Sequence, residues 1–496
     1  MATNLPSFSI HGLVLEEAYI KLDKEINQLQ ERLCSLKTLR NSLSPISKFP
    51  TELLAKIFTD SQDCVDEPLA GAVDVHARFM FSWVCRHWRN TALGTAGLWT
   101  ILSRNNKDAT INIEFADELL ARSRHLALSI NLFKPTQALL RLFVPHMHRI
   151  MHLRLSPGAG ESRNPAFDEL LSQPAPVLAS LELCCTHTPL EPMFSGAHPN
   201  LRTLIVTRVG FLSLPPSTFL SLTSLHIIDN DPVIGINDLI GVLPSLPCLS
   251  KLKLVQSFQD ENFIPLAERL TLPRLQLLTI SDECSSAVFD FLACLDVPHT
   301  QITLTWPESV YCSAMTMREF EICLDEYRRR IPFPIRHLKI DRHAPSFTIE
   351  MSSSPTQHRH SFQFPEKPFD QESFFFGLPL SHLESLSTNE LYSGTIKFFK
   401  RSTKLSTVTL FGKSALKTFI QKLKLGPEPA TKRSFPALRE LTICNIKKAA
   451  PLDDLREALI TRHKVQMGLD RLVFAECPGV DVEGFRGLVD VVSVNK

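Results

Sequence analysis

His146, His148 and His152 crowd into one stretch, "PHMHRIMH", and imidazoles at that density are where a bound metal ion would be sought. A metal needs three or four donors converging from positioned elements. No Cys, Asp or Glu stands beside these three, and the stretch enters an alternating apolar pattern, so they read as structural or surface histidines. The "HRH" at His358 to His360 has the same shortfall. Gly412, Lys413 and Ser414 lie between a strand pattern and a helix pattern, as in a phosphate-binding loop. The place five positions earlier, where such a loop needs its first glycine, is Thr407, so no flexible turn aims amides at a phosphate. "GAGES" from Gly158 lacks the third glycine of a dinucleotide loop. Neither a G-x-S-x-G elbow nor an H-E-x-x-H helix occurs. Arg328 to Arg330 read as cations complementing the C-terminal end of a helix dipole. The chain is therefore expected not to be an enzyme and to carry no cofactor and no metal.

Composition points the same way. Lys and Arg number 53 against 52 Asp and Glu, a balance without the cationic surplus that condenses a protein onto nucleic acid or anionic membrane. Apolar residues make up 44% of the chain, which excludes global disorder. With 34 Pro against 18 Gly, stiff turns between short elements are expected. The 12 Cys are scattered, with no Cys-x-x-Cys pair; free thiols are expected rather than disulfides or a zinc cage. The opening "MATNLPSFSI" is no signal peptide and no apolar run is long enough to span a bilayer. A soluble protein of the cytoplasm or nucleus is expected, with proteins as its partners.

Leu15, Leu22, Leu29, Leu36 and Leu43 are spaced by seven, with Tyr19, Ile26 and Leu33 filling the alternate step until Arg40 breaks it. This is a heptad seam on one long helix over residues 1–43. Two copies could pair through the seam, or the helix could fold back on its own chain.

A small apolar island follows. Pro45 and Pro50 bracket the end of the first helix, and Pro50 suits a first helical turn, where its missing N–H costs nothing. Leu53, Leu54, Ile57 and Phe58 then make one helical face, and "RFMFSWVCRHWRNTAL" reads as a second helix bearing Phe79, Trp83, Val84, His87 and Trp88. Between them "TDSQDCVDEPLAGAVDV" reads as an acidic, solvated loop. Helices this short cannot bury so many large apolar groups against one another, so part of the face is expected to meet another protein.

Phe49-Pro50, Glu52-Leu53-Leu54, Ile57-Phe58, Val84-Cys85-Arg86-x-Trp88-Arg89 and Leu98-Trp99 together resemble the F-box, in the form abundant in mushroom-type fungi; the resemblance covers Ser44 to Thr100. It implies a small all-α module at 44–100 that docks on the Skp-type linker of a cullin-based SCF ubiquitin ligase. The contacts it implies are Phe49, Pro50, Leu53, Leu54, Ile57, Phe58, Val84, Cys85, Trp88, Leu98 and Trp99. Phe49 departs from the Leu more usual there, and the acidic loop is long.

From Trp99 onward the texture changes to a recurring step, apolar at offsets zero, three and five. It appears at Ile150, Leu153, Leu155; Leu178, Leu181, Leu183; Leu201, Leu204, Val206; Leu222, Leu225, Ile227; Leu249, Leu252, Leu254; and Leu275, Leu278, Ile280. It returns at Ile335, Leu338, Ile340; Leu405, Val408, Leu410; Leu438, Leu441, Ile443; and Leu469, Leu472, Phe474. Short strands alternating with turns and helices predict an irregular leucine-rich-type solenoid over 101–496, in which each unit buries its apolar side against its neighbours. An ordinary α/β domain would also alternate strand and helix. The stretch 346–377 interrupts the rhythm and reads as a hairpin inserted into the array, an insertion of the kind that either decorates a binding face or is simply a tolerated loop. Thr203, Ile205 and Thr207, or Lys251, Lys253 and Val255, should point outward and could line a ligand-reading surface.

The fold expected is α/β: a long N-terminal helix, a small F-box-like helical module and the repeat array with its hairpin. The function expected is that of a substrate-recognition adaptor, its helical module on the linker and through it a cullin, its repeats on an unidentified target protein. The alternative is a protein-binding scaffold that works outside any ligase.

Overall fold

The heptad stretch forms one unbroken helix, α1 (Leu15–Ser42), with Glu16 and Glu17 in its first turn and Arg40 in its last, matched to the helix dipole. The computed structural model describes residues 15–61, 75–103, 111–156, 165–184, 193–196, 200–209, 220–229, 234–258, 268–282, 285–297, 299–306, 327, 333–343, 346–354, 357–365, 375, 378–391, 394–399, 402–424, 434–446, 452–478, 480 and 483–495. The chain divides into two units, residues 1–178 and 179–496.

In the first unit Pro45 opens a 3-10 turn, Pro45–Lys48, against which the end of α1 rests. Next come α2 (Thr51–Asp60), α3 (Val75–Val84), α4 (Arg86–Gly94) and a 3-10 turn, Ala96–Trp99. The single helix expected over residues 78–93 is in fact two, broken at Cys85, whose backbone is extended (φ −160°, ψ 172°). The break is supported from both sides. The Cys85 sulfur accepts from the Trp88 amide at 3.5 Å, as an N-cap does, while Arg89 Nε donates to the Ser82 carbonyl at 2.8 Å near the end of α3. Most of the acidic loop, residues 62–74, lies outside the described residues.

The same unit continues as β1 (Ile101–Ser103), α5 (Ile113–Arg122), β2 (Leu128–Phe133), α6 (Gln137–Phe143), β3 (Ile150–Ser156) and α7 (Pro165–Leu171), the strands pairing in parallel in chain order. Buried Arg149 ties β3 to the end of α5, donating to the Leu120 and Leu126 carbonyls and the Ser123 hydroxyl. Cations belong at a helix C-terminus for this reason.

The second unit opens with β4 (Ser180–Cys184), β5 (Thr203–Thr207), β6 (Ser224–Ile228), α8 (Ile236–Val242), β7 (Lys251–Val255), β8 (Leu270–Thr271), β9 (Leu277–Ser281), α9 (Ser285–Cys294), β10 (Leu295–Asp296) and β11 (Gln301–Thr305). β8 and β10 make a short parallel pair of their own. β4, β5, β6, β7, β9 and β11 stand side by side, every neighbour parallel. This order follows the chain without reversal, as stacked repeats require and as a doubly wound sheet, with its switch point, does not.

The register explains the recurring step. Leu204, Leu225, Leu252, Leu278 and Ile302 form one row across the strands, and Val206, Ile227, Leu254, Ile280 and Leu304 the next. At β5, β6, β7 and β9 the residue at offset zero, Leu201, Leu222, Leu249 and Leu275, lies just before the strand and is buried with them. Between repeats, paired amides converge on one carbonyl: Arg202 and Thr203 on Ala179, Thr223 and Ser224 on Arg202, Ser250 and Lys251 on Thr223. At the far end of the strands Arg208, Asp229 and Gln256 each take a left-handed backbone (φ 46° to 58°) and donate an N–H to the next strand. That turn costs a non-glycine residue energy and is held by the ladder.

The inserted hairpin is part of the sheet itself. β12 (His337–His343), β13 (Ser346–Ser354) and β14 (Gln357–Pro365) all lie within the sheet, in the order β11-β14-β13-β12-β15, where β15 is Ser385–Thr388. β13 alone runs antiparallel to its neighbours. The hairpin fits because it continues the buried row: Leu304 faces Phe362, Phe362 faces Ile349 and Ile349 faces Ile340. β16 (Thr407–Phe411), β17 (Glu440–Cys444), β18 (Leu469–Ala475) and β19 (Val489–Asn495) then resume the parallel order. The protein is thus mixed α/β, with a long N-terminal helix and a large, mainly parallel sheet.

Candidate protein-docking surfaces

α2 begins directly after Pro50, whose carbonyl accepts from the amides of Leu53 and Leu54. Its apolar residues cover a wider arc than its own unit encloses. Leu54 and Phe58 are fully buried, whereas Leu53 is 52% exposed, Ile57 46% and Phe49, just before the helix, 44%. Pro50 is exposed as well. Glu52 lies in the first turn of α2, where the helix dipole favours a carboxylate.

The buried half is held by aromatic contacts. Phe58 stacks on Phe81 of α3, ring centroids 4.3 Å apart, and tilts against Trp88 of α4 at 5.1 Å. α3 and α4 are thereby fixed to α2. With Phe81 turned inward, Met80, Trp83 and Val84 are left outward, Trp83 at 65% exposure. Their spacing of three and four puts them on one side of α3. Cys85 and Trp88 are half-buried.

Leu98 and Trp99 face inward. Both are buried, and the Trp99 indole N–H donates to the Ala92 carbonyl at 3.0 Å while the Arg122 guanidinium lies over its ring at 5.3 Å. Of the expected contacts, then, Phe49, Pro50, Leu53, Ile57 and Val84 lie on the surface, Cys85 and Trp88 between, and Leu54, Phe58, Leu98 and Trp99 inside. Met80 and Trp83 join the surface although neither was among the expected contacts. Their signal was in the sequence, in the aromatic "RFMFSWV", but which of its residues face water is decided by the packing of Phe81 on Phe58.

A second surface is the outward side of the sheet in the second unit. Alternation along each strand leaves the residues between the apolar steps half-exposed, including Thr203, Ile205, Thr207, Lys253 and Val255, with Lys251 exposed. Farther along, this side is dominated by hydroxyls: Thr279, Thr303, Thr348, Ser387, Thr409 and Thr442. Charge gathers at the hairpin, where Glu350 pairs with Arg359 at 3.7 Å and Lys339 with Asp341 at 3.3 Å. Short hydroxyl side chains lose little rotamer freedom on contact and both donate and accept.

Of the groups that drew attention as chemistry, the stretch from Gly158 and Arg328 to Arg330 lie outside the described residues. His146 and His148 lie in a 3-10 turn, Val144–Arg149, rather than in the strand, and only His152 is in β3. Burial holds the His152 imidazole below its ordinary 6.5. Burial, then the charges of Arg149 and His148, lower His146 against an opposing pull from Asp117. His360 is buried in β14, hydrogen-bonded to the Tyr327 hydroxyl, with Phe333 edge-on at 4.8 Å. β16 passes straight into the helix Gly412–Leu423, leaving no loop for a phosphate. Among the described residues no helix is long and apolar enough to cross a membrane, and no group of three or more His, Cys, Asp or Glu is placed to hold a metal ion.

No protein-family model and no curated protein matches the chain. Among solved structures it is similar to an internalin from Listeria monocytogenes, at 13% identity over 88% of this chain and 98% of that one, with a TM-score of 0.24. A likeness that distant has no bearing on function.

Proposed function

We propose that the chain is an adaptor that brings two proteins together: the helical module docks on the Skp-type linker of a cullin-based ubiquitin ligase, and the outward side of the repeat sheet holds a target protein. Its action is proximity, since tethering a target beside the transferring machinery raises its effective concentration without new chemistry. The observation that carries the reading is the half-used apolar arc of α2, with Leu53 and Ile57 open beside fully buried Leu54 and Phe58. Contiguous exposed apolar residues of this size favour a protein partner, and the F-box-like pattern of these residues names the kind of partner. On this reading Phe49, Leu53, Ile57, Met80, Trp83 and Val84 touch the linker, and Leu54, Phe58, Leu98 and Trp99 shape the module beneath them. The adaptor would work in the cytoplasm or nucleus.

The test is direct binding of the purified chain to a purified Skp-type linker by calorimetry. Leu53→Asp with Ile57→Asp should weaken binding at least ~100-fold, by analogy with central apolar anchors. Undiminished binding by that variant, or no binding by the unaltered chain, rejects the linker. A target captured equally well by chain that binds no linker and no cullin supports the scaffold that works outside a ligase.

A further inference from the structure

α1 is an amphipathic helix whose seam is largely open, with Leu22 half-buried. None of its residues is buried, and Tyr19, Ile26, Leu29, Leu33 and Leu36 are all exposed. Apolar residues repeating every seven over 28 residues bury themselves stably only against another helix.

The pattern has a polarity. Leucines occupy the d positions, at Leu15, Leu22, Leu29 and Leu36, and the a positions are Tyr19, Ile26, Leu33 and Arg40. Beside the seam the g positions are Ala18, Glu25, Arg32 and Leu39, and the e positions Glu16, Asp23, Gln30 and Lys37. These flanking residues decide which way a partner helix runs.

Two parallel copies set each g against the following e. That places Arg32 against Lys37 twice, Glu25 against the neutral Gln30, and the two Arg40 side chains face to face in the seam. No attractive pair results. Two antiparallel copies with Ile26 level with Leu29 of the second copy give the reverse. Glu25 then meets Arg32 twice and Glu16 meets Lys37 twice, Ala18 lies against Leu39, and Asp23 against Gln30. Arg40 falls at the end of the seam opposite Leu15, next to Glu16 of the other copy, where its charge reaches both water and a carboxylate.

We infer that α1 pairs with α1 of a second copy in an antiparallel two-helix coiled coil. The occupant is this chain itself because one set of charges satisfies both sides of the pair at once. The two C-terminal ends of the helices then lie at opposite ends of a rod about 40 Å long, at 1.5 Å per residue. Each copy's remaining surfaces are carried away from the other's. The inference is independent of what the helical module binds.

Sedimentation of the full chain tests it. The unaltered protein should show a reversible species of twice the 55.9 kDa chain mass. Leu29→Asp, an exposed change, should give a monomer with unaltered thermal unfolding. Arg32→Glu separates the two directions: it sets Glu25 against a carboxylate and should weaken an antiparallel pair roughly tenfold or more, whereas it would strengthen a parallel one. Adding Glu25→Arg should restore the lost affinity. A strictly monomeric unaltered chain, a trimer or larger assembly, association untouched by Leu29→Asp, or tightening by Arg32→Glu would each overturn the inference.

Discussion

Leu53 and Leu54 are consecutive in the chain, yet Leu53 stands 52% exposed while Leu54 is fully buried. On a helix one residue is a turn of 100°, enough to move a leucine from the core to the surface. Leu54→Ala should cost ~2–5 kcal/mol of stability and Phe58→Ala ~3–5, from lost burial and the cavity left behind. Leu53→Ala should change stability by no more than ~0.5 kcal/mol. Denaturant unfolding followed by tryptophan fluorescence measures all three, and an equal loss for Leu53 and Leu54 would place both in the core.

The tryptophans divide in the same way. Trp83 is exposed on α3, and Trp99 is buried with its N–H bonded to Ala92. Trp99→Phe removes that hydrogen bond and part of the packing, and should lower stability by ~1–3 kcal/mol. Trp83→Ala should leave unfolding unchanged and weaken linker binding by ~2 kcal/mol or more, as a large aromatic at an interface does. A Trp83 variant that unfolds early but binds normally would contradict this division.

In the repeat sheet, the Asp282 carboxylate accepts from the amides of Ser257 at 2.7 Å and Phe258 at 3.1 Å, and is itself buried. Asp282→Ala strands both amides, at roughly 1–3 kcal/mol for each buried group left unpaired. Amide hydrogen exchange at Ser257 and Phe258 should accelerate by ~10-fold or more, with little change in the first unit. Unchanged protection there would mean that other groups hold the turn.

Acid should loosen the first unit before neutral conditions do. His152 and His146 both titrate below their ordinary 6.5 in the folded chain, so between the folded and unfolded values the unfolded chain binds more protons. Stability therefore rises with pH through that window. Their contribution is fully present above about pH 6.5 and is lost as pH falls through the lowered values. His152→Gln should flatten the acid side of a thermal midpoint against pH profile, and a profile identical to the unaltered chain's would remove His152 as a cause.

What could be read directly from the residues was whatever repeats with a period. The heptads of α1 and the step Leu275, Leu278, Ile280 each encode a local geometry, and every such step beyond α1 is buried where the register requires. β2 and β11 bury Ile130, Leu132, Ile302 and Leu304 in the same way, but their turns lack the preceding Leu-x-x and so left no visible step. Nor could periodicity show that the hairpin Ser346–Pro365 enters the sheet: β13 and β14 read the same whether they lie on a face or continue a row from Leu304 to Ile340.

The docking surface was legible only as a region. Sequence by itself determined that residues 44–100 carry more apolar side chain than so small a module can enclose, because composition sets the total. Which half stays open is a matter of tertiary packing. The break at Cys85 separates α3 from α4, and the Phe58–Phe81 stack presses the side of α2 that bears Phe58 inward. Leu53, Ile57, Met80 and Trp83 remain outside because a helix can press only one side against its neighbours, and that choice belongs to the packed assembly of helices rather than to any one of them.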